Sequence, residues 1–73
     1  MDRSEVKPNN FYEHYKGAVY RVWHLCTLEA DGSDMVVYSQ RGGRTWVRPM
    51  TEFCEKFKPI DGSRALDLIE EWT

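Results

Sequence analysis

Two clusters of side chains in this 73-residue chain have the types and spacing to hold a charged ligand. Arg41, Arg44 and Arg48 surround a Gly42-Gly43 pair and Trp46, with no acid between them. A glycine pair lets backbone N–H groups approach an anion, guanidinium forks grip phosphate or carboxylate, and an indole offers a stacking face. The competing reading is a plain hairpin turn with solvated arginines and Trp46 in the core. Tyr12, His14, Tyr15 and Lys16 stand together just ahead of Gly17. Their rings could stack on a flat ligand while His14 and Lys16 donate to its anionic groups. Equally, the tyrosines could close the open end of a barrel while His14 caps a backbone carbonyl. Tyr38 is a further candidate for stacking.

Catalytic sets fare poorly. His14 and His24 are potential bases and Cys26 and Cys54 potential nucleophiles, but His24 and Cys26, two apart on one strand face, come with no orienting acid or oxyanion donors. The positions 14, 24, 26 and 54 match no zinc-ribbon or zinc-finger spacing. Neither a Walker-type Lys-Ser/Thr nor a dinucleotide glycine fingerprint occurs. The expectation is a non-enzymatic protein with no metal and no cofactor.

Composition narrows the class further. A 73-residue chain that is 41% hydrophobic supports one compact core, and 3 Trp, 4 Tyr and 3 Phe crowd that core with rings. The net charge of -2 argues against general nucleic-acid binding. Charge is unevenly spread, with arginines at 41, 44 and 48 and acids at Asp67, Glu70 and Glu71. Met1-Asp2-Arg3-Ser4-Glu5 has no apolar stretch, so the chain is expected to be cytoplasmic, with Cys26 and Cys54 reduced and serving as small core residues. No apolar run reaches the roughly 20 residues of a membrane helix.

The elements that must position these residues follow from periodicity and punctuation. Residues 1–10 are polar, with Pro8-Asn9-Asn10 as a breaker, and read as a flexible arm; residues 11–73 form the single domain. Residues 19–28 read as one long strand. Tyr20, Val22, His24, Cys26 and Leu28 face one way, and Val19, Arg21, Trp23, Leu25 and Thr27 the other. Because both faces are largely apolar, the second needs cover from the arm, the C-terminal segment or another subunit. A turn around Gly32 returns the chain into a strand at 35–40, a second turn at 41–44 leads to a strand at 45–48, and Pro49 stops it. Thr51 is placed to cap one helical turn carrying Phe53 inward, and residues 57–60 supply a fourth strand. After Asp61-Gly62, Ser63 as N-cap with Leu66, Ile69 and Trp72 on one stripe favours a helix, although Leu66, Leu68 and Trp72 also share a strand face. Such a helix would lay its stripe across Trp23 and Leu25; otherwise those residues form a patch for a partner.

Tyr12-x-His14-Tyr15-Lys16-Gly17-x-x-Tyr20-x-Val22, Val36-Val37-Tyr38 and Trp46-Val47-Arg48-Pro49-x-x-x-Phe53 occur in that order. In these segments the chain resembles the bacterial family called domain of unknown function 1653, over roughly residues 12–57. The resemblance implies an SH3-like five-stranded barrel and no established activity. Leu28 and Ala30 stand near the positions where the family usually has a His and an acid, and the 41–44 turn replaces its Leu-Tyr-Gly. The expected architecture is therefore mainly β: a small antiparallel SH3-like barrel of 4–5 strands curling into a closed sheet, with a short C-terminal helix or strand.

On this reading the protein is a small bacterial or phage binding module, a homo-oligomer that binds or sequesters a flat anionic ligand such as a nucleotide or nucleotide-derived signal. Arg41, Arg44 and Arg48 would hold the anion, with stacking on Trp46 or a tyrosine. The alternative is a protein–protein interaction module that binds a peptide or host protein.

Overall fold

Short runs of β-branched and aromatic residues between glycine turns leave the chain little choice but to fold back on itself. The structure is a computed structural model that describes residues 1–72. After a 3-10 turn at Arg3–Glu5 come β1 (Phe11–His14), β2 (Val19–Thr27), β3 (Asp34–Ser39) and β4 (Thr45–Pro49). Helix α1 (Met50–Lys56), β5 (Phe57–Pro59) and helix α2 (Gly62–Trp72) complete the chain. The expectation of a mainly β protein holds: five antiparallel strands form one sheet in the order β4-β3-β2-β1-β5, accompanied by two short helices.

The connection between the two outermost strands shapes the sheet. The seven residues of α1 link β4 to β5, and a helix of that length spans only about 10 Å. The outer strands of a flat five-stranded sheet would stand about 19 Å apart. The sheet must therefore curl. The expected closed sheet is not closed by a ladder, because β4 and β5 remain its two edges and α1 bridges them.

The inner face of the curl is the core. Tyr12, Val22, Val36 and Tyr38 point into it from three adjacent strands, and Met50 and Phe53 of α1, Phe57 of β5 and Val6 complete it. Phe53 is fully buried and stacks on Phe57 with ring centroids 4.1 Å apart and planes 6° apart. Tyr12 and Tyr38 meet Phe53 edge-on at 5.5 and 5.3 Å, a geometry that aligns ring edges with ring faces.

Several sequence expectations change. Residues 1–10 read as a loose arm with order starting near Phe11, yet Val6 is 3% exposed and belongs to the core. An Asp2 capping box holds the turn in front of Val6, and the Tyr12 hydroxyl, which donates to the Glu5 carbonyl at 2.7 Å and accepts from the Lys7 N–H at 2.8 Å, fastens the segment behind it. Residues 11–14, to which the sequence reading assigns no element, form β1, a strand between β2 and β5.

The simple alternation of the 19–28 strand also fails. A bulge between Val22 and His24 inserts a residue, so that Leu25 pairs with the buried Val36 and Cys26 with Met35. An inserted residue reverses the faces beyond it, which turns His24 and Cys26 away from the core side. Cys26 is accordingly exposed rather than a core residue, whereas Cys54 is half-buried against the core. Burial pushes the Cys54 thiol pKa up.

The outer face of β2 is covered from within the chain. The tail is a helix, and the Trp72 ring lies 5.6 Å from Phe11 and 6.1 Å from Trp23. The buried stripe is not the expected one: Ala65, Leu68 and Trp72 are half-buried, while Leu66 is 67% exposed. Leu25 is not under the helix and stays 41% exposed. Beneath Trp72, the Arg21 guanidinium packs 4.5 Å from the Trp23 ring and bonds Asn9 Oδ1, and Trp23 Nε1 donates to Ser39 Oγ at 2.8 Å.

Candidate functional site

Gly17 has φ +101°, a conformation strained for any residue with a Cβ, and it forms the tight β1–β2 turn. Its N–H donates to the His14 carbonyl at 2.7 Å, and the His14 N–H donates to Ala18 O at 2.8 Å. The Lys16 N–H donates to His14 Nδ1 at 3.2 Å, so in the neutral imidazole the ring proton sits on Nε2. His14 thus accepts from the backbone instead of capping a carbonyl. The Tyr15 N–H donates to Lys56 O at 2.9 Å, tying this turn to the end of α1 and bringing Lys56 beside it.

Phe57 is the hub on which the rest assembles. Its ring is 4.9 Å from His14, 5.5 Å from Tyr20 and 5.3 Å from Tyr38. The Arg48 guanidinium lies 5.8 Å from the Phe57 centroid, and Arg48 Nε donates to the Tyr38 hydroxyl at 3.1 Å. Arg48 Nη1 is enclosed and has no hydrogen-bond partner among the described residues. Tyr15 packs on His14 at 4.4 Å, is 68% exposed, and has Lys16 Nζ 5.7 Å from its ring centre.

Three cations therefore act electrostatically on one imidazole. Burial, and after it the charges of Arg48, Lys16 and Lys56, hold the His14 pKa below the usual histidine value. Among the described residues, none of these three cations pairs with a carboxylate. A cleft of about 350 Å³ opens here, walled by His14, Tyr15, Lys56 and Phe57. Glu13 and Glu55 also border it. The Glu13 carboxylate is drawn to Lys58 at 3.8 Å and Arg64 at 3.6 Å.

The structure divides the residues singled out from sequence. His14 and Arg48 meet at Phe57, Tyr15 packs on His14, and Lys16 lies over the Tyr15 ring. Tyr12 and Tyr38 are 1% and 4% exposed and belong to the core, so neither presents a free ring for stacking. Arg41 borders a different cleft, between the Gly42-Gly43 turn, Val19 and the Leu68 and Trp72 side chains of α2. Arg44 is exposed on that turn, and Trp46 is 49% exposed on the edge strand β4 instead of lying in the core. The arginines at 41, 44 and 48 thus do not form one grip. Nothing in the sequence marks Lys56 and Phe57 as site residues, because some forty positions separate them from the Tyr12–Lys16 cluster.

No group of three or more His, Cys, Asp or Glu side chains among the described residues is placed to hold a metal ion. No described helix is long and apolar enough to cross a membrane.

Fold and site together define a small, mainly β domain whose one sheet carries a cationic, ring-lined corner. The chain belongs to the family described as Protein of unknown function (DUF1653), whose model matches residues 10–64. No curated protein and no solved structure shows a significant match.

Proposed function

We propose that this protein is a non-enzymatic binding module for a flat, anionic small molecule, a nucleotide or nucleotide-derived signal, held at the His14–Phe57 corner. One observation carries the reading: Lys16, Lys56 and Arg48 act on one imidazole and, among the described residues, pair with no carboxylate, while Lys56, His14 and the exposed Tyr15 ring line an open cleft, in a chain of net charge -2. Unneutralised cations favour an anion, and the exposed Tyr15 ring, packed on His14 with its plane tilted by 34°, supplies a stacking surface. The ligand's anionic group lies near Lys56 and Lys16, and its ring on Tyr15. Sequestration of the ligand, with no chemical change, is the mechanism.

Calorimetric titration with nucleoside mono- and diphosphates tests it. Binding is expected to weaken about tenfold or more, roughly 1.4 kcal/mol, in Lys56→Ala and in Tyr15→Ala. Arg44→Ala, remote from the corner, leaves it unchanged. Absence of binding by every nucleotide removes the reading, as does recovery of a chemically altered ligand.

A further inference from the structure

The two edges of the sheet are not equally protected. β5 is three residues long, carries Lys58 and ends in Pro59, all features that discourage another strand from pairing with it. β4 has five residues, Thr45-Trp46-Val47-Arg48-Pro49, and its free side has no pairing partner among the described residues. Trp46 is 49% exposed and Val47 57%, on opposite faces of the same edge. An edge that shows apolar side chains on both faces is a template for a further strand.

We infer that the β4 edge pairs antiparallel with the β4 edge of a second copy of this chain, in a register centred on Val47. Self-complementarity selects both the occupant and the register. In a two-fold pairing about an axis normal to the sheet, directly opposed residues lie on the same face, so one residue must face its own copy with the axis midway between the two. Centring on Trp46 sets Arg44 against Arg48 of the other copy, and centring on Arg48 sets Arg48 against itself. Like charges directly opposed are unfavourable. Centring on Val47 avoids both clashes: Val47 meets Val47, and Trp46 of each copy lies across from Arg48 of the other. An arginine beside an indole face is an attractive pair. The same geometry extends one sheet into ten strands across two chains and covers the apolar edge.

Light scattering across a dilution series tests the assembly, and a cysteine scan tests the register. The intact chain is expected at twice its 8.6 kDa mass at the concentrated end, and Val47→Lys, which sets two ammonium groups against each other on an exposed face, is expected at the single-chain mass. In a Cys26→Ser background, Val47→Cys places two thiols on opposed residues, whose Cα separation of about 4.5–5.5 Å suits a disulfide. Oxidised Val47→Cys should run as a covalent dimer and oxidised Thr45→Cys should not, which keeps the inference testable if the lysine variant does not fold. A monomer at every concentration overturns it, as would an isolated chain that pairs only when a foreign peptide is added. Equal cross-linking at positions 45 and 47 overturns the register.

Discussion

Arg48 Nε donates to the Tyr38 hydroxyl across 3.1 Å, and that bond joins the edge strand to the buried ring cluster. Tyr38 is 4% exposed, and the neighbouring Arg48 Nη1 already lacks an acceptor. Tyr38→Phe removes the acceptor of Nε as well and leaves more of a partly buried guanidinium unsatisfied. It should lower stability by about 1–3 kcal/mol, read as a shift of the urea midpoint at unchanged slope.

Phe53 anchors the helix that bridges the sheet edges, and it meets Tyr12, Tyr38 and Phe57 with none of its surface exposed. Phe53→Ala should cost about 3–5 kcal/mol. For a domain of this size that is most of the available stability. Circular dichroism at room temperature should find the variant largely unfolded, and a native-like melt would contradict the core described here.

Helix α2 is held by different means from the strands. Its attachments include the half-buried Ala65 and Leu68, the Trp72 ring on Phe11 and Trp23, and the partly exposed Arg64–Glu13 ion pair. Exposed pairs contribute little, so Trp72 does most of the docking. Trp72→Ala should release α2 and expose Trp23 while the sheet stays folded. Hydrogen exchange should then show fast amides through 62–72 and continued protection in β2 and β3.

The lowered pKa of His14 fixes the sign of a pH effect. The folded chain holds the imidazole neutral below the ordinary value of 6.5, so as pH falls past 6.5 the unfolded chain takes up the proton first. Stability should therefore decline as pH drops below that value and level off once the folded imidazole also protonates. His14→Gln should flatten this slope in denaturation curves recorded at successive pH values. An anion bound at the corner acts in the opposite sense, raising the His14 pKa, and a proton NMR titration with and without nucleotide should register the upward shift.

Much of this architecture is written locally. Glycines 32 and 42, both at positive φ, sit at the turns where alternating runs must reverse, and Pro49 marks the passage from β4 into α1. Phe53 inward, a strand from Phe57 and a helical tail follow from equally local spacing, because each depends on residues within a few positions of one another. The inner corner was only half legible: the Tyr12–Lys16 run and Arg48 could be noticed, but not which of them would be free. Tyr12 and Tyr38 have the same side chain as Tyr15, and burial alone makes the first two core and leaves the third on the surface.

What tertiary structure alone decided depends on long-range contacts. The bulge after Val22 is invisible in an unbroken apolar run, yet it reverses the face of every residue beyond it and exposes Cys26. The pairing of His14 with Phe57, 43 positions later, arises only when β5 closes against β1. The chain by itself therefore determined the strands from Val19 onward, their turns and the two helices, since these answer to nearest-neighbour sterics and periodicity, whereas β1 and the anchored N-terminal turn depend on what they pack against. The curl of the sheet decided which cations share one imidazole and which sit apart on a turn, because that outcome is set by strand order and packing rather than by spacing along the backbone.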